Sequence, residues 1–514
     1  MEWTAGYASD VEYTAGFYPE QSPAHLNQTC ILNGFEPVDI TKPFTYFELG
    51  FGRGVTVTTL AAANPNGLFY ATDFNPAHVA GARQLADSAA LANLVLLENS
   101  FEELARGEVP GLPQFDFITL HGIYTWVTRD NQAHIAAFIR RCLKPGGIVY
   151  LSYNAMPGWA GTMPLQRLIV DHAAQHPQRS DVQVKTAVDY LASLAETGRG
   201  YFANNTQVKD RIESLKKASA NYLVHEYMHR HWKPMYHADV ACDLGEAKLE
   251  FVGSAEQILA FPPLYMAPEQ VAMLLDIPDR SMRETVKDFL LNTPFRKDVF
   301  VRGPRRMPAT RQLEWLQKTG IALTGTAEAV KPAFRLGNQQ IVAKPEMFDA
   351  AMERLNQGPV SFAEICALPV MRDQHITSIV QFVTLLTAAN AATVYFADRE
   401  SCPTDAAHRL NRVVAECVRH SDEVQCLAAP LLGSGIITSM FDRIALGGLF
   451  AGIDAGDTTA HARRAWQILR SQGRYMRKDG EAVVDEETNL VLLKEALDKP
   501  LRQKLPAWRT LGIC

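Results

Sequence analysis

A chain of 514 residues is too long for one hydrophobic core, so about two to four domains are expected. Its apolar share of 47% and charged share of 21% are those of a folded protein, and a net charge of -6 gives no electrostatic reason to expect nucleic acid or an anionic membrane surface as partner. No apolar run approaches the roughly 20 residues that cross a bilayer, so membrane insertion is not expected.

The first residues, MEWTAGYASDVEYTAGFYPEQ, are acidic and aromatic, with neither the basic start nor the apolar segment of a secretory signal. Tyr7, Tyr13 and Tyr18 form an N-terminal arm able to fold over a site further along. The cysteines at 30, 142, 242, 366, 402, 417, 426 and 514 are scattered without a CxxC pair, which predicts free thiols and a cytoplasmic setting.

Phe44 to Leu49 is an apolar run of strand length, followed by Gly50, Gly52 and Gly54. Val55 to Ala63 has helix composition, NPNG at 64–67 is a turn, and Leu68 to Thr72 reads as a second strand ending at Asp73. This is a βαβ unit with a glycine loop at the carboxyl end of its first strand. The spacing is GxGxG, with Val55 where a dinucleotide fingerprint needs its third glycine, and no GK[ST] follows. Glu48 stands two residues before the loop; it would repel a pyrophosphate and suits a cationic ligand.

NLVLLENSFEEL (93–104) predicts a third strand ending at Glu98, Asn99, Ser100 and Phe101, with Ser100 also a good helix N-cap. FDFITLHGIYTWV (115–127) predicts a fourth strand carrying His121 at its end, and LKPGGIVYLSYNAMPGW (143–159) a turn and then a fifth strand. Five strands alternating with helices predict a doubly wound sheet with its ligands at the carboxyl ends. Tyr124, Trp126, Tyr153, Asn154 and Trp159 fall on two adjacent strand ends. Such an aromatic setting depresses a lysine pKa and attracts methylammonium groups.

Residues 162–304 carry helical patterns, and HEYMH (225–229) matches the HExxH of zinc proteases. No third ligand follows at the right spacing, and Pro234 ends any helix within two turns, so no metal is expected. Tyr227 and Tyr236 are candidates to roof an acceptor channel. Residues 305–514 contain a helix whose Ile376, Ile379, Val380, Val383 and Leu386 share one face, followed by a strand-like run. The stretch 373–390 has no Lys or Arg, which argues against reading DNA. Arg463, Arg464, Arg470, Arg474, Arg477 and Lys478 read as a solvated helix face.

ELGFGRG resembles motif I of class I S-adenosylmethionine-dependent methyltransferases, and a KPGG turn before the fifth strand is typical of them. DFNPAHVAGARQLA, FDFITLHGIYTWV, LSYNAMPGW, HEYMHRHWKPMYHADV and DVFVRG, in this order, resemble the members that carry a methyltransferase regulatory domain, among them rickettsial protein-lysine methyltransferases acting on outer-membrane proteins.

The resemblance implies S-adenosylmethionine as cofactor, held by Glu48, Gly50, Gly52, Gly54, Asp73, Phe74, Asn99, Ser100, Phe101, His121 and Gly122. It implies a Rossmann-like methyltransferase domain (1–161), a mainly helical middle domain (162–304) and a C-terminal winged-helix-like α+β domain (305–514). The expected activity is N-methylation of lysines in a protein substrate, with a homodimer among the expected assemblies. His121, Asn154 and Tyr227 are the candidate catalytic residues, and Tyr13, Tyr124, Trp126, Tyr153, Trp159 and Tyr236 the candidate acceptor-binding ones. Methylation of a small metabolite and a cofactor-gated interaction module are the alternatives.

Overall fold

The computed structural model describes residues 10–11, 15–326, 330–336, 339–389 and 391–514. Tyr7 and Tyr13 therefore lie outside the described residues. The first helix, α1 (Pro23–Leu32), starts at Ser22, whose side chain accepts from the His25 amide. The alternation read from the sequence follows: β1 (Phe44–Leu49), α2 (Val55–Ala63), β2 (Gly67–Thr72), α3 (Pro76–Ser88), β3 (Leu94–Leu97), α4 (Phe101–Arg106), β4 (Phe115–Leu120), α5 (Arg129–Cys142) and β5 (Leu143–Asn154). These five strands pair in parallel. The KPGG turn does not precede β5 but interrupts it. Phe115 pairs with Leu143 and Phe117 with Ile148, so residues 144–147 bulge out of the ladder.

Residues 155–248 leave the sheet as helices: α6 (Met163–Gln175), α7 (Ser180–Glu196), α8 (Tyr201–Asn204), α9 (Thr206–Lys217), α10 (Ala220–Tyr227) and α11 (His237–Gly245). The chain then returns with β6 (Leu249–Ser254), α12 (Pro268–Leu275), α13 (Arg280–Leu291) and β7 (Phe295–Arg302). Both strands join the main sheet antiparallel to their ladder partners, in the order β3-β2-β1-β4-β5-β7-β6. The sheet thus has seven strands rather than the expected five. Two of them come from the segment read as mainly helical.

The rest begins with α14 (Ala309–Gln317) and β8 (Thr319–Leu323), then the hairpin β9 (Ala333–Leu336) and β10 (Gln339–Val342). Next come α15 (Pro345–Leu355), β11 (Val360–Ser361), α16 (Phe362–Ala367), α17 (Ile376–Ala388) and β12 (Ala392–Phe396). β8 lies between β11 and β12 in a small antiparallel sheet. On α17, Ile379, Val380, Val383 and Leu386 are buried as expected, while Ile376 is exposed. Then follow α18 (Asp405–Cys417), the pair β13 (Cys426–Ala429) and β14 (Ser434–Ile437), and α19 (Met440–Phe450), α20 (Thr458–Ser471), α21 (Glu486–Asp498) and α22 (Leu505–Thr510). In the basic cluster Arg464 pairs with Glu416 and Arg470 with Glu486.

Every residue of α2 is buried, because the sheet covers one side and the C-terminal module the other. VTVTTLAAA is apolar or small all round, which is what such a helix needs. Thr59 Oγ1 meets Cys426 Sγ at 3.1 Å, and the Arg399 guanidinium donates to the carbonyl of Ala63 at 2.6 Å. Among the described residues no helix is long and apolar enough to cross a membrane, and all eight cysteines are free.

Candidate active site

At the end of β1 the backbone turns through Gly50 (φ 70°) and Gly54 (φ 72°) into α2. A Cβ on Gly50 would stand 2.5 Å from Ile123 Cδ1, and one on Gly54 2.6 Å from Ala82 Cβ. Both the backbone angle and the space therefore require glycine. Asp73, at the end of β2, braces the loop from below. Its carboxylate accepts from the Gly52 amide at 2.8 Å and the Asn75 amide at 2.9 Å, and lies 3.1 Å from His78 Nδ1.

The loop forms one wall of a cleft of about 230 Å³ at the carboxyl ends of the parallel strands. Glu48, Gly50, Gly52, Asp73, Phe74, Asn99, Ser100, Phe101, His121 and Gly122 all line it. Gly54 lies behind the wall as the N-cap of α2. Ser100 has a second job: its hydroxyl and Glu103 form the capping box of α4. Glu48 is buried, and burial, with Asp73 adding to it, pushes its carboxyl up to about 8. One of its oxygens accepts from Gln21 at 3.2 Å, and the other is buried without a hydrogen-bond partner among the described residues.

His121 also lines the cleft, with Nδ1 2.8 Å from the Tyr150 hydroxyl. Burial pushes it down to about 4, so its imidazole is neutral at physiological pH.

Of the residues expected to meet the acceptor, Trp126 lines the cleft and the other described ones do not. Tyr124 and Tyr153 are fully buried in the core on the far side of the strand ends, their hydroxyls spent on Asp243 and Asp298. For Tyr153 alternation explains this, since side chains one residue apart on a strand point to opposite faces, whereas Tyr124 lies beyond the end of β4, in the turn before α5. Asn154 ties β5 to the segment after β4 through Thr125, and its carbonyl accepts from the Met235 amide ahead of α11. Trp159 and Tyr227 belong to the core of the helical segment, beneath the Arg211 guanidinium. Tyr236 is exposed and stacks on Phe289.

In their place the structure brings Tyr18, Asn131, His225, Glu226 and His229 to the cleft. The HEYMH segment thus faces the site through its polar residues rather than through Tyr227. Among the described residues no group of three His, Cys, Asp or Glu is placed to hold a metal ion. Among the described residues no Lys or Arg lines the cleft. A glycine cradle that a Cβ would fill, an unpartnered buried carboxylate oxygen and an acid at the end of β2 fit a ligand with an ammonium, a chain lying close to backbone, and a ribose.

A family model described as a methyltransferase domain matches residues 47–149, and one described as a predicted methyltransferase regulatory domain matches residues 219–302. An uncharacterized protein of Synechocystis sp. is 34% identical over the whole length of both chains. Another, of Rickettsia prowazekii, is 24% identical over 56% of this chain and 51% of its own. PKMT2 from Rickettsia typhi shares the fold: at 17% identity its complex with AdoHcy superimposes with a TM-score of 0.69, covering 98% of this chain and 99% of that one. The chain belongs to the class I S-adenosylmethionine-dependent methyltransferases that carry a methyltransferase regulatory domain.

Proposed function

We propose that this methyltransferase methylates the side-chain amine of lysines in a protein substrate. The observation that carries the reading is the makeup of the cleft: three carboxyl groups, Glu48, Asp73 and Glu226, line it, and among the described residues no Lys or Arg does. The imidazoles of His121 and His229 are pushed down to about 4 by burial, so they add no positive charge at neutral pH. Such a site favours cations and disfavours phosphates and carboxylic acids. The cofactor's ammonium would pair with one of these acids on binding, and an ammonium acceptor with another.

In this reading Glu48 receives the cofactor's ammonium, the glycine loop its methionine chain, and Asp73 its ribose. Asn99, Ser100 and Phe101 surround the base. Trp126, beside Trp232 with ring centroids 6.1 Å apart, offers an aromatic wall to the alkyl chain of the acceptor. Transfer is in-line from sulfonium to nitrogen, with proximity and exclusion of water supplying most of the acceleration. We read the α15–β11–α16–α17–β12 unit, with β8, as the winged-helix-like part of the C-terminal module, and assign the module to presenting a large substrate. The resemblance to rickettsial protein-lysine methyltransferases supports a protein acceptor over a metabolite.

The test uses methyl-labelled S-adenosylmethionine, the full chain and an extract of the source organism. Label recovered in protein as methyl-lysine after hydrolysis supports the reading. Label confined to small molecules overturns it.

A further inference from the structure

Glu226 lies in the last turn of α10, in the segment matched by the regulatory-domain model, and yet lines the same cleft as the glycine loop. Its carboxylate has no hydrogen-bond partner among the described residues. Most of the other acids and bases of the cleft have partners. Glu48 lies at the foot of the glycine loop, bonded to Gln21. Asp73 is held by Gly52, Asn75 and His78. His121 is bonded to Tyr150 and stacked on Tyr18. His229 is too weak a base once burial has pushed it down to about 4.

We propose that Glu226 is the base of the transfer: it binds the acceptor's ammonium and takes its proton. The inference rests on the amine-acceptor reading above. In the first step an N–H bond breaks, an O–H bond forms on the carboxylate, and the nitrogen keeps the electron pair. That pair then attacks the methyl carbon while the carbon–sulfur bond breaks toward sulfur, giving a methylammonium and a neutral thioether. The proton leaves Glu226 for solvent.

Burial pushes the Glu226 carboxyl up to about 7, against the pull of Arg211 on α9. The same enclosure lowers the pKa of an amine drawn into it, so the two values converge. The charged and titratable groups facing Glu226 are Arg211 from α9, Tyr222 and Tyr227 from its own helix, and His225 and His229 around it.

Glu226→Gln in the full chain tests this in two assays. In the first, n-butylammonium is titrated into enzyme loaded with S-adenosylhomocysteine. The wild type should bind it more weakly as the pH falls through about 7, and the variant should bind weakly at every pH. No binding by the wild type, or equal binding by both, overturns the proposal whatever the natural acceptor is.

In the second assay, transfer into the protein fraction of the extract should fall roughly 100-fold in the variant at pH 7. The defect should shrink toward pH 10, where the amine loses its proton unaided. Cofactor affinity, measured alongside, should stay within about twofold, the range expected when no cofactor contact is removed. A defect of equal size at all pH values means a structural role and overturns the proposal. Label that never enters protein lysines, despite butylammonium binding, overturns the acceptor reading instead.

Discussion

Tyr18 lies face to face with His121, their ring centroids 3.7 Å apart and the planes 18° from parallel. The Tyr18 amide donates to Thr56 Oγ1 on α2, so one residue fastens the N-terminal arm to both the cofactor helix and the end of β4. The stack also covers the His121 imidazole, which burial holds down to about 4. Tyr18→Ala should cost about 0.5–1.5 kcal/mol of ordering at this corner and lower turnover about threefold to tenfold. With its cover gone, His121 should titrate nearer its ordinary value. The pH–rate profile of the variant should then gain an inflection between about pH 5 and 7 that the wild type lacks. Tyr18→Phe keeps the stack and should keep the wild-type profile.

Glu48 is held protonated by burial: its carboxyl stands at about 8, against 4.5 for a free glutamate. Above pH 4.5 the unfolded chain loses this proton while the folded chain retains it, so folding stability falls as the pH rises until the folded group also ionises near 8. Glu48→Gln should abolish that slope, which is about 1.4 kcal/mol per pH unit for one proton. It is read from denaturant melts of the cofactor-free chain between pH 5 and 8. The proposed pairing with the cofactor's ammonium would reverse the preference, so binding at pH 7 should release a proton. Calorimetry in two buffers of different ionisation heat detects it. The variant should release none and lose about 1.5–3 kcal/mol of cofactor affinity.

The cleft wall proposed to hold the cofactor was legible because it is local. Gly50, Gly52, Glu48 and Asp73 sit within one βαβ unit, where sequence spacing fixes spatial spacing. The acceptor half was not. Tyr124 and Tyr153 carry the right chemistry, but which face of a strand end a ring takes depends on partners distant in sequence. Here those partners are Asp243 and Asp298. Glu226 was hidden for the opposite reason, since its motif suggests a metal site and only the fold turns it toward the cleft. β7 was overlooked as a strand because FRKDVFVR carries four charges, two of which, Arg296 and Asp298, are buried against each other.

That pair anchors the regulatory segment to the catalytic sheet. Asp298 accepts from Arg296 Nε at 2.9 Å and the Tyr153 hydroxyl at 2.7 Å, and lies 3.0 Å from His237 Nδ1. Burial alone would raise its carboxyl, but the Arg296 guanidinium and His237 together hold it well below the usual range. A depressed carboxylate contributes stability above its unfolded value and loses it as the pH falls through the folded one. Asp298→Ala leaves the Tyr153 hydroxyl, His237 Nδ1 and Arg296 Nε without their buried acceptor, while Asp288 and Glu284 still hold the other two guanidinium nitrogens, and should cost about 1–3 kcal/mol. The expected readout is a lower melting temperature, with hydrogen-exchange protection lost first along β5 and β7.

Arg399 does for α2 what Asp298 does for β7. Its buried guanidinium donates to the carbonyl of Ala63, at the last turn of α2, and to that of Pro430 at 3.1 Å. Asn64, one residue on, donates to the carbonyl of Gly433 at 2.9 Å. The C-terminal module therefore grips the far end of the helix whose near end carries the glycine loop. Arg399→Ala takes the side-chain donor from the Ala63 carbonyl, while that of Pro430 keeps the Gly433 amide at 3.0 Å, and should cost about 1–3 kcal/mol. If the grip sets the loop, the affinity for S-adenosylhomocysteine should fall together with the melting temperature. A lower melting temperature at unchanged affinity would mean that the module braces the fold and leaves the cleft to the sheet alone. Arg399→Lys separates charge from geometry: a single ammonium cannot span both carbonyls, so it should behave like the alanine variant.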